Sequence, residues 1–374
     1  MTIHEKTSGG MSGVTVSDSS ICQILETGEG LYYRGYGITD LAEHCLYEEV
    51  VYLLLYGELP NQNQLDQLKK EMQAMRQLPE SMMQALQLIP GDANAMDVLR
   101  TAYSLMGSIY PESKHDADWI AKKIIATCPT ILCYWQQFHH ENSIAEDSNH
   151  DTMAEYFIQM LKNGESYTQD QVKLINQSLI LYAEHEFNAS TFTARVITST
   201  NTDIYSAVCG AIGALRGNLH GGANEAAIKF LLQFESLESV DSKLKEMFDQ
   251  KQIIMGFGHR VYRESDPRSE ILKSSIEPLI RTPKLEKLFD IAKAVENAVH
   301  EAKGLCTNVD YYTGLAYHIC EIPLNFYTPL FVMGRLSGWV AHIAEQRQEN
   351  KIIRPNSAYT GPDQRPFIPL DERK

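Results

Sequence analysis

From residue 39 onward the chain repeats apolar positions at helical spacing, broken by short Pro/Gly-containing turns. The stretch 47–56 (YEEVVYLLLY) is apolar on most faces, opens with acidic residues and stops at Gly57 with Pro60 beyond. Those are the start and stop signals of a buried helix. Residues 63–76, 81–88 and 93–106 repeat the pattern, and 119–138 is a further apolar helical stretch in which Pro129 predicts a kink or break. Helical spacing returns at 169–184, 191–198, 203–215, 224–234, 241–250, 285–303 and 327–346. Strand alternation is nearly absent. The exception is 22–36 (CQILETGEGLYYRGY), where a Gly-Glu-Gly turn between short apolar runs predicts a small hairpin. The pattern defines a mainly α protein of many helices.

Composition adds limits. The 374 residues leave room for one large domain or two unequal ones, and 44% hydrophobic with 22% charged residues is ordinary for a globular chain. A net charge of −15 argues against nonspecific nucleic-acid binding. Any anionic substrate must therefore meet a local gathering of arginines. The seven cysteines (22, 45, 128, 133, 209, 306 and 320) form no C-x-x-C pair and no zinc spacing. They read as reduced thiols of a cytoplasmic protein. Residues 1–13 are polar and glycine-rich and read as a loose tail. No stretch has the ~18 apolar residues of a membrane span. The segment 139–151 (HHENSIAEDSNHD) carries three histidines, but none falls at a recognised ligand spacing, so it is expected to be a solvated loop and not a metal site.

Five stretches carry candidate chemistry. In 253–268 the run Ile253, Ile254, Met255 enters the turn Gly256-Phe257-Gly258, followed by His259, Arg260, Arg263 and Arg268, with Pro267 suited to a helix start. A proton-trading histidine and fixed guanidiniums beside an open loop suit a small anionic substrate; a glycine-rich turn with a surface histidine fits the same letters. His185 lies in EHEFNAST, where one helix ends and another begins with Ser/Thr capping chemistry. His220, in LHGGANE, follows a break and precedes a helix, so its ring is expected at a helix N-terminus, as a neutral hydrogen-bond donor. Asp310 in NVDYY is a carboxylate among apolar and aromatic neighbours, a useful base if burial raises its pKa, or otherwise only an N-cap. Arg335 inside a long apolar helix and Arg354 in IIRP complete the set, though Arg335 could be paired structurally. Together they are the parts needed to ionise a carbon acid beside a dicarboxylate.

The ordered motifs HEFNAST, LHGGANEA, GFGHRVYRESDPR, NVDYYTG and IIRPNSAYTGP resemble the citrate synthase family from about Tyr33 to the C-terminus. Within it, LYAEHEFNASTFTARVI and AHIAEQRQENKIIRPNSAYTGPDQRPF look most like the 2-methylcitrate synthase branch. The resemblance implies a large helical domain (1–221 and 323–374) and a smaller helical domain (222–322) closing over the active site. It implies condensation of propionyl-CoA with oxaloacetate and water to 2-methylcitrate and CoA, with acetyl-CoA also accepted. The alternatives are a citrate synthase using acetyl-CoA, and an inactive regulator that binds CoA or a dicarboxylate.

Residue by residue, the resemblance makes His220 the donor to the thioester carbonyl, Asp310 the base for the α-proton, and His259 the group that polarises the ketone. His185, Arg268 and Arg335 match oxaloacetate ligands, and Arg354 matches an arginine supplied across the interface of a homodimer. Ile253, Ile254, Met255, Gly256, Phe257 and Gly258 match the loop whose backbone recognises the adenine of CoA, with Arg263 and Lys303 placed for its phosphates. Acyl-CoA is a substrate here, and no cofactor or metal is implied. No extra N-terminal domain of the kind found in hexameric, NADH-regulated members is expected. One departure bears on substrate: the 2-methylcitrate branch often has proline after the loop histidine, whereas Arg260 stands here as in short citrate synthases. It leaves acyl-chain preference open.

Overall fold

The structure is a computed structural model and describes residues 14–25, 30–141, 143–145, 150–259, 261–262 and 264–373. Among these residues a small sheet is antiparallel, in the order β1 (Cys22–Ile24), β2 (Leu31–Tyr33), β3 (Tyr36–Gly37), with Cys22 opposite Tyr33. This is the expected hairpin with a short third strand, turned at Arg34 and Gly35, both at positive φ. The Gly-Glu-Gly turn falls largely on residues 26–29, outside the described residues.

Among the described residues the helices are α1 (Ile38–His44), α2 (Tyr47–Tyr56), α3 (Gln62–Met75), α4 (Glu80–Leu88), α5 (Ala95–Ile109), α6 (Ala117–His140), α7 (Met153–Lys162) and α8 (Gln169–Tyr182). They continue as α9 (Ala189–Thr198), α10 (Ile204–Leu215), α11 (Ala223–Leu231), α12 (Val240–Asp249), α13 (Pro267–Ile276), α14 (Pro283–Lys303), α15 (Val309–Ile319) and α16 (Tyr327–Gln348). Local signals place their ends. Helix α2 stops where Gly57 adopts φ 94°, and α14 starts with a Thr282 side-chain cap and Pro283 and ends at Gly304 with φ 64°.

Two expectations are corrected. Pro129 does not break α6, which runs uninterrupted through it to His140. The helix is buried on nearly every face around the proline, and that packing holds it together across the missing N–H. The expected loop 139–151 is also shorter than read: His139 and His140 form the last turn of α6, and His140 Nε2 meets the carbonyl of Gly91 at 2.8 Å. Helix α7, capped by Thr152, follows directly and was not expected, because its helical period directly adjoins a polar run.

Helix α16 is the axis of the core. Its buried residues lie all round, as for a helix with no solvent face, and it packs against α2, α5, α6, α8, α9, α10 and α11. A second group joins α11 to α15, α13 to α15 and α12 to α14, while α13 also packs on α1 and α8. Between the groups meet the end of α8, the start of α9, the turn before α11, the loop before α13 and the start of α15. No helix among the described residues is long and apolar enough to cross a membrane. The same residues contain no group of three or more His, Cys, Asp or Glu placed to hold a metal ion.

Candidate active site

The loop 256–259 and the start of α15 are built as one unit. Gly256 and Gly258 sit at φ 88° and 75°, a region other residues rarely adopt, and a Cβ on Gly256 would lie 2.8 Å from the Tyr311 ring. This lets the loop pair with 306–308: Gly258 N–H donates to Cys306 O (2.8 Å), Asn308 N–H to Gly256 O (2.9 Å) and the Asn308 side-chain amide to Gly258 O (3.0 Å). Asn308 also caps α15, and Asp310 is the second residue of that helix, so its side chain is not the cap. Asp266 caps α13, accepts the N–H of Val309 at the start of α15 (3.0 Å), and holds Arg268 through Nε (2.9 Å) and Nη2 (2.8 Å). One buried carboxylate thus fixes two helix starts and one guanidinium plane.

Two histidines are set as neutral donors. His220 Nε2 accepts the backbone N–H of Ser190 (3.2 Å) and lies 2.9 Å from its hydroxyl, which Trp339 Nε1 also contacts (3.2 Å). A backbone N–H can only donate, so the ring proton is on Nδ1. The ring does sit at a helix N-terminus, as expected, but at that of α9 and not of α11, the helix it precedes in sequence. Burial, with help from Arg335, lowers its pKa to about 4. His259 mirrors this arrangement. Its Nδ1 accepts the N–H groups of Val261 (3.1 Å) and Tyr262 (3.2 Å), leaving the proton on Nε2, and burial and Arg268 lower its pKa to about 4.

Asp310 adds a carboxyl of raised pKa. Burial raises its pKa to about 6, against the opposing pull of a 2.7 Å hydrogen bond from the Tyr182 hydroxyl and of Arg268. Arg335 donates from Nε to Tyr182 O (2.5 Å), and its guanidinium carbon lies 4.9 Å from the Phe331 ring centre. Among the described residues its Nη1 and His185 Nε2 are buried without a hydrogen-bond partner. The His185 ring meets that of His259 edge-on at 5.0 Å, and burial, Arg268 and His259 hold it neutral. Just after it, Glu186 takes φ 51°, a strained conformation for a non-glycine that turns the chain from α8 into α9. The arrangement can therefore polarise two carbonyl oxygens, remove one proton, and bind an anion between Arg268 and Arg335.

His185, His220, His259, Arg268, Asp310 and Arg335 are gathered around this one region. Arg354 is not: it lies on an exposed extended segment after α16, its guanidinium 3.4 Å from Asn356. In the glycine loop Ile253 is 84% exposed, Ile254 and Met255 are half-buried, and Phe257 meets Tyr311 edge-on at 4.8 Å. Lys303 lies over the Phe248 ring at 4.7 Å. Arg260 and Arg263 fall outside the described residues. A cavity of about 260 Å³ is lined by Gly258, His259, Tyr262, Ser265, Asp266 and residues 304–307. Sequence reading missed Tyr182, Ser190, Tyr262, Asp266 and Trp339. Tyr182, one helical turn before His185, and Asp266, an N-cap before Pro267, left local signals; the others left none.

Comparison with known proteins gives the class. The family model described as "Citrate synthase, C-terminal domain" matches residues 10–356. The 2-methylcitrate synthase of Shewanella oneidensis is 42% identical over 98% of this chain and 98% of its own length. Citrate synthase 2 of Bacillus subtilis is 37% identical over 97% and 98%. A solved ternary complex of the Thermoplasma acidophilum citrate synthase with carboxymethyl coenzyme A and oxaloacetate superposes with a TM-score of 0.91, at 32% identity, covering 99% of this chain and 100% of that one. The chain belongs to the citrate synthase family, and the many-helix fold expected from its sequence is the fold of these relatives.

Proposed function

We propose that the chain acts as a 2-methylcitrate synthase, condensing propionyl-CoA with oxaloacetate and water to give 2-methylcitrate and CoA, with acetyl-CoA as a second substrate. One observation carries the chemistry: two neutral imidazoles whose backbone contacts leave one N–H each to donate, beside a carboxyl whose pKa is raised to about 6.

Asp310 takes the α-proton of the acyl-CoA while His220 Nδ1–H donates to the thioester oxygen as it becomes an enol. A base alone is too weak for so poor a carbon acid, and a preorganised donor of this kind contributes about 2.7–4 kcal/mol. His259 Nε2–H polarises the ketone of oxaloacetate and protonates the new alkoxide. His185, Arg268 and Arg335 hold its carboxylates, and planar guanidiniums suit that better than lysine would. The enol carbon bonds to the ketone carbon, and water then cleaves the thioester and releases the thiol.

In the same proposal the segment 222–322 closes as a smaller domain over the remainder, excluding water before enolisation. The 253–258 loop receives the adenine of CoA, with Arg263 and Lys303 near its phosphates. Arg354 enters the site of a second subunit in a homodimer, which accounts for its place on an exposed arm. The seven free thiols suit a reducing cytoplasm.

The acyl preference is supported by the Shewanella relative. The second reading, a citrate synthase preferring acetyl-CoA, is favoured by the Bacillus relative and by Arg260. One methylene is worth only about 0.8 kcal/mol of burial, so both thioesters are expected to react. The test is release of free CoA thiol with oxaloacetate, comparing kcat/KM for the two thioesters. A propionyl preference is expected. An acetyl preference selects the second reading, and no release with either sinks both.

A further inference from the structure

Buried tyrosines in this chain satisfy their hydroxyls. Tyr33, Tyr47, Tyr103, Tyr182, Tyr311 and Tyr312 each reach a named acceptor within 3.1 Å. Tyr262 does not. It is 4% exposed, and its hydroxyl is a buried polar atom without a partner among the described residues. Such an orphan is unfavourable unless something binds it. Tyr205 shares the lack, but it lies in the packing of α10 against α5, beside Gly107.

The place of Tyr262 gives the orphan a meaning. Its ring centre lies 4.7 Å from that of His259 and 5.6 Å from that of His185, and the Arg268 guanidinium carbon is 5.8 Å from it. Two further buried polar atoms of this region without a partner among the described residues, His185 Nε2 and Arg335 Nη1, belong to residues already assigned to a dicarboxylate. Nearby, Asp266 is fully engaged by Arg268 and Val309 N–H. Burial pushes the phenol pKa up, so the group carries its proton throughout the range in which the protein would be assayed.

We propose that Tyr262 is a further substrate-binding residue, its hydroxyl donating to a carboxylate oxygen of the bound 2-oxo dicarboxylate while its ring braces His185 and His259. The inference rests on reading the site as an oxaloacetate site. A purely packing role would need the ring but not the oxygen, and Tyr262→Phe separates the two.

The experiment is calorimetric binding of oxaloacetate to the intact protein and to Tyr262→Phe, alongside steady-state kinetics and thermal unfolding. Kd and KM for oxaloacetate are expected to rise about tenfold or more. KM for the acyl-CoA should stay within about twofold, and Tm should be unchanged or higher, since the oxygen lost is a buried, unpaired one. Tyr262→Leu, which removes the brace, should in addition lower kcat. An unaltered oxaloacetate Kd in Tyr262→Phe overturns the inference while leaving the proposed reaction intact. Failure of the wild-type protein to bind oxaloacetate overturns both. The wild type also tests itself: oxaloacetate should perturb the tyrosine ultraviolet difference spectrum, and a null spectrum counts against the contact even if the Phe variant does not fold.

Discussion

Tyr182 and Asp310 stand 128 residues apart in sequence, yet the tyrosine hydroxyl donates to Asp310 Oδ1 at 2.7 Å. The same tyrosine holds Arg335 through its carbonyl oxygen and stacks on Phe331 at 4.0 Å. The last residue of α8 thus ties the base at the start of α15 to the arginine of α16. A shift of any one of these helices would misplace the proposed base relative to the proposed anion site, and positioning errors of this kind are costly in catalysis.

The pH dependence of kcat/KM follows. The folded pKa of Asp310 is raised to about 6, so the base is ionised above that pH and protonated below it. The rate should fall about tenfold per unit below pH 6. His220 and His259, lowered to about 4, stay neutral through this window and do not contribute to the limb. Tyr182→Phe removes a bond that favours the carboxylate, so the midpoint should move upward by about one unit. A midpoint that stays in place or moves down would refute the role of this bond.

Asp310→Asn should lower turnover by about 10³ or more while oxaloacetate still binds nearly as in the wild type. Its stability effect has a definite sign. A carboxyl with a raised folded pKa opposes folding once ionised, so the native Asp310 is costly above about pH 6 and neutral in effect at low pH. The variant should therefore gain up to about 3 kcal/mol at pH 8, the effect of a pKa raised from 3.8 to about 6, and nothing near pH 3, read by denaturant unfolding at the two pH values.

His220 is aimed by Ser190. His220→Ala should cost about 10²–10³ in kcat, the usual loss for one oxyanion donor. Ser190→Ala keeps the backbone N–H that fixes the tautomer and removes only the hydroxyl shared with Trp339. It should therefore cost about tenfold or less. Steady-state kinetics of both variants decide the point, and equal losses would mean that the hydroxyl, not the N–H, orients the ring.

Gly256→Ala forces a Cβ against Tyr311 at a φ of 88°. The strain should cost about 1–3 kcal/mol and loosen the Asn308 contact that positions α15. Lower Tm together with lower kcat is expected; a wild-type Tm would show that the loop can take another path.

If Arg354 acts in a second subunit, Asp310→Asn and Arg354→Ala chains should complement each other. Each mixed dimer would then contain one site with both native residues. Remixing the two inactive proteins in equal amounts should restore about a quarter of wild-type activity. No recovery, with mixed dimers demonstrated by mass, would place Arg354 in its own chain's site.

Much of this was legible from the chain alone, for identifiable reasons. Helix ends at Gly57, Thr282 and Gly304 follow from residue-level preferences that need no partner. The hairpin at 22–36 and the long apolar helix carrying Arg335 were written in their periods. Pro129 did not end α6, because burial on nearly every face carries the helix through it. Helix α7 escaped because its start adjoins a polar run rather than a break.

By itself the sequence determined which chemical groups exist, their order, and the family to which they belong. It also made the glycines at 256 and 258 necessary, since positive φ is a property of the residue's own backbone. Only the tertiary structure decided which nitrogen of His220 carries the proton, because that depends on the Ser190 N–H arriving from α9, whereas His259 is set by Val261 and Tyr262 in its own loop. It likewise decided that Asp310 titrates near 6 and that Tyr262 ends without a partner. Desolvation and hydrogen-bond satisfaction belong to the whole packed volume around a group, which no stretch of sequence contains.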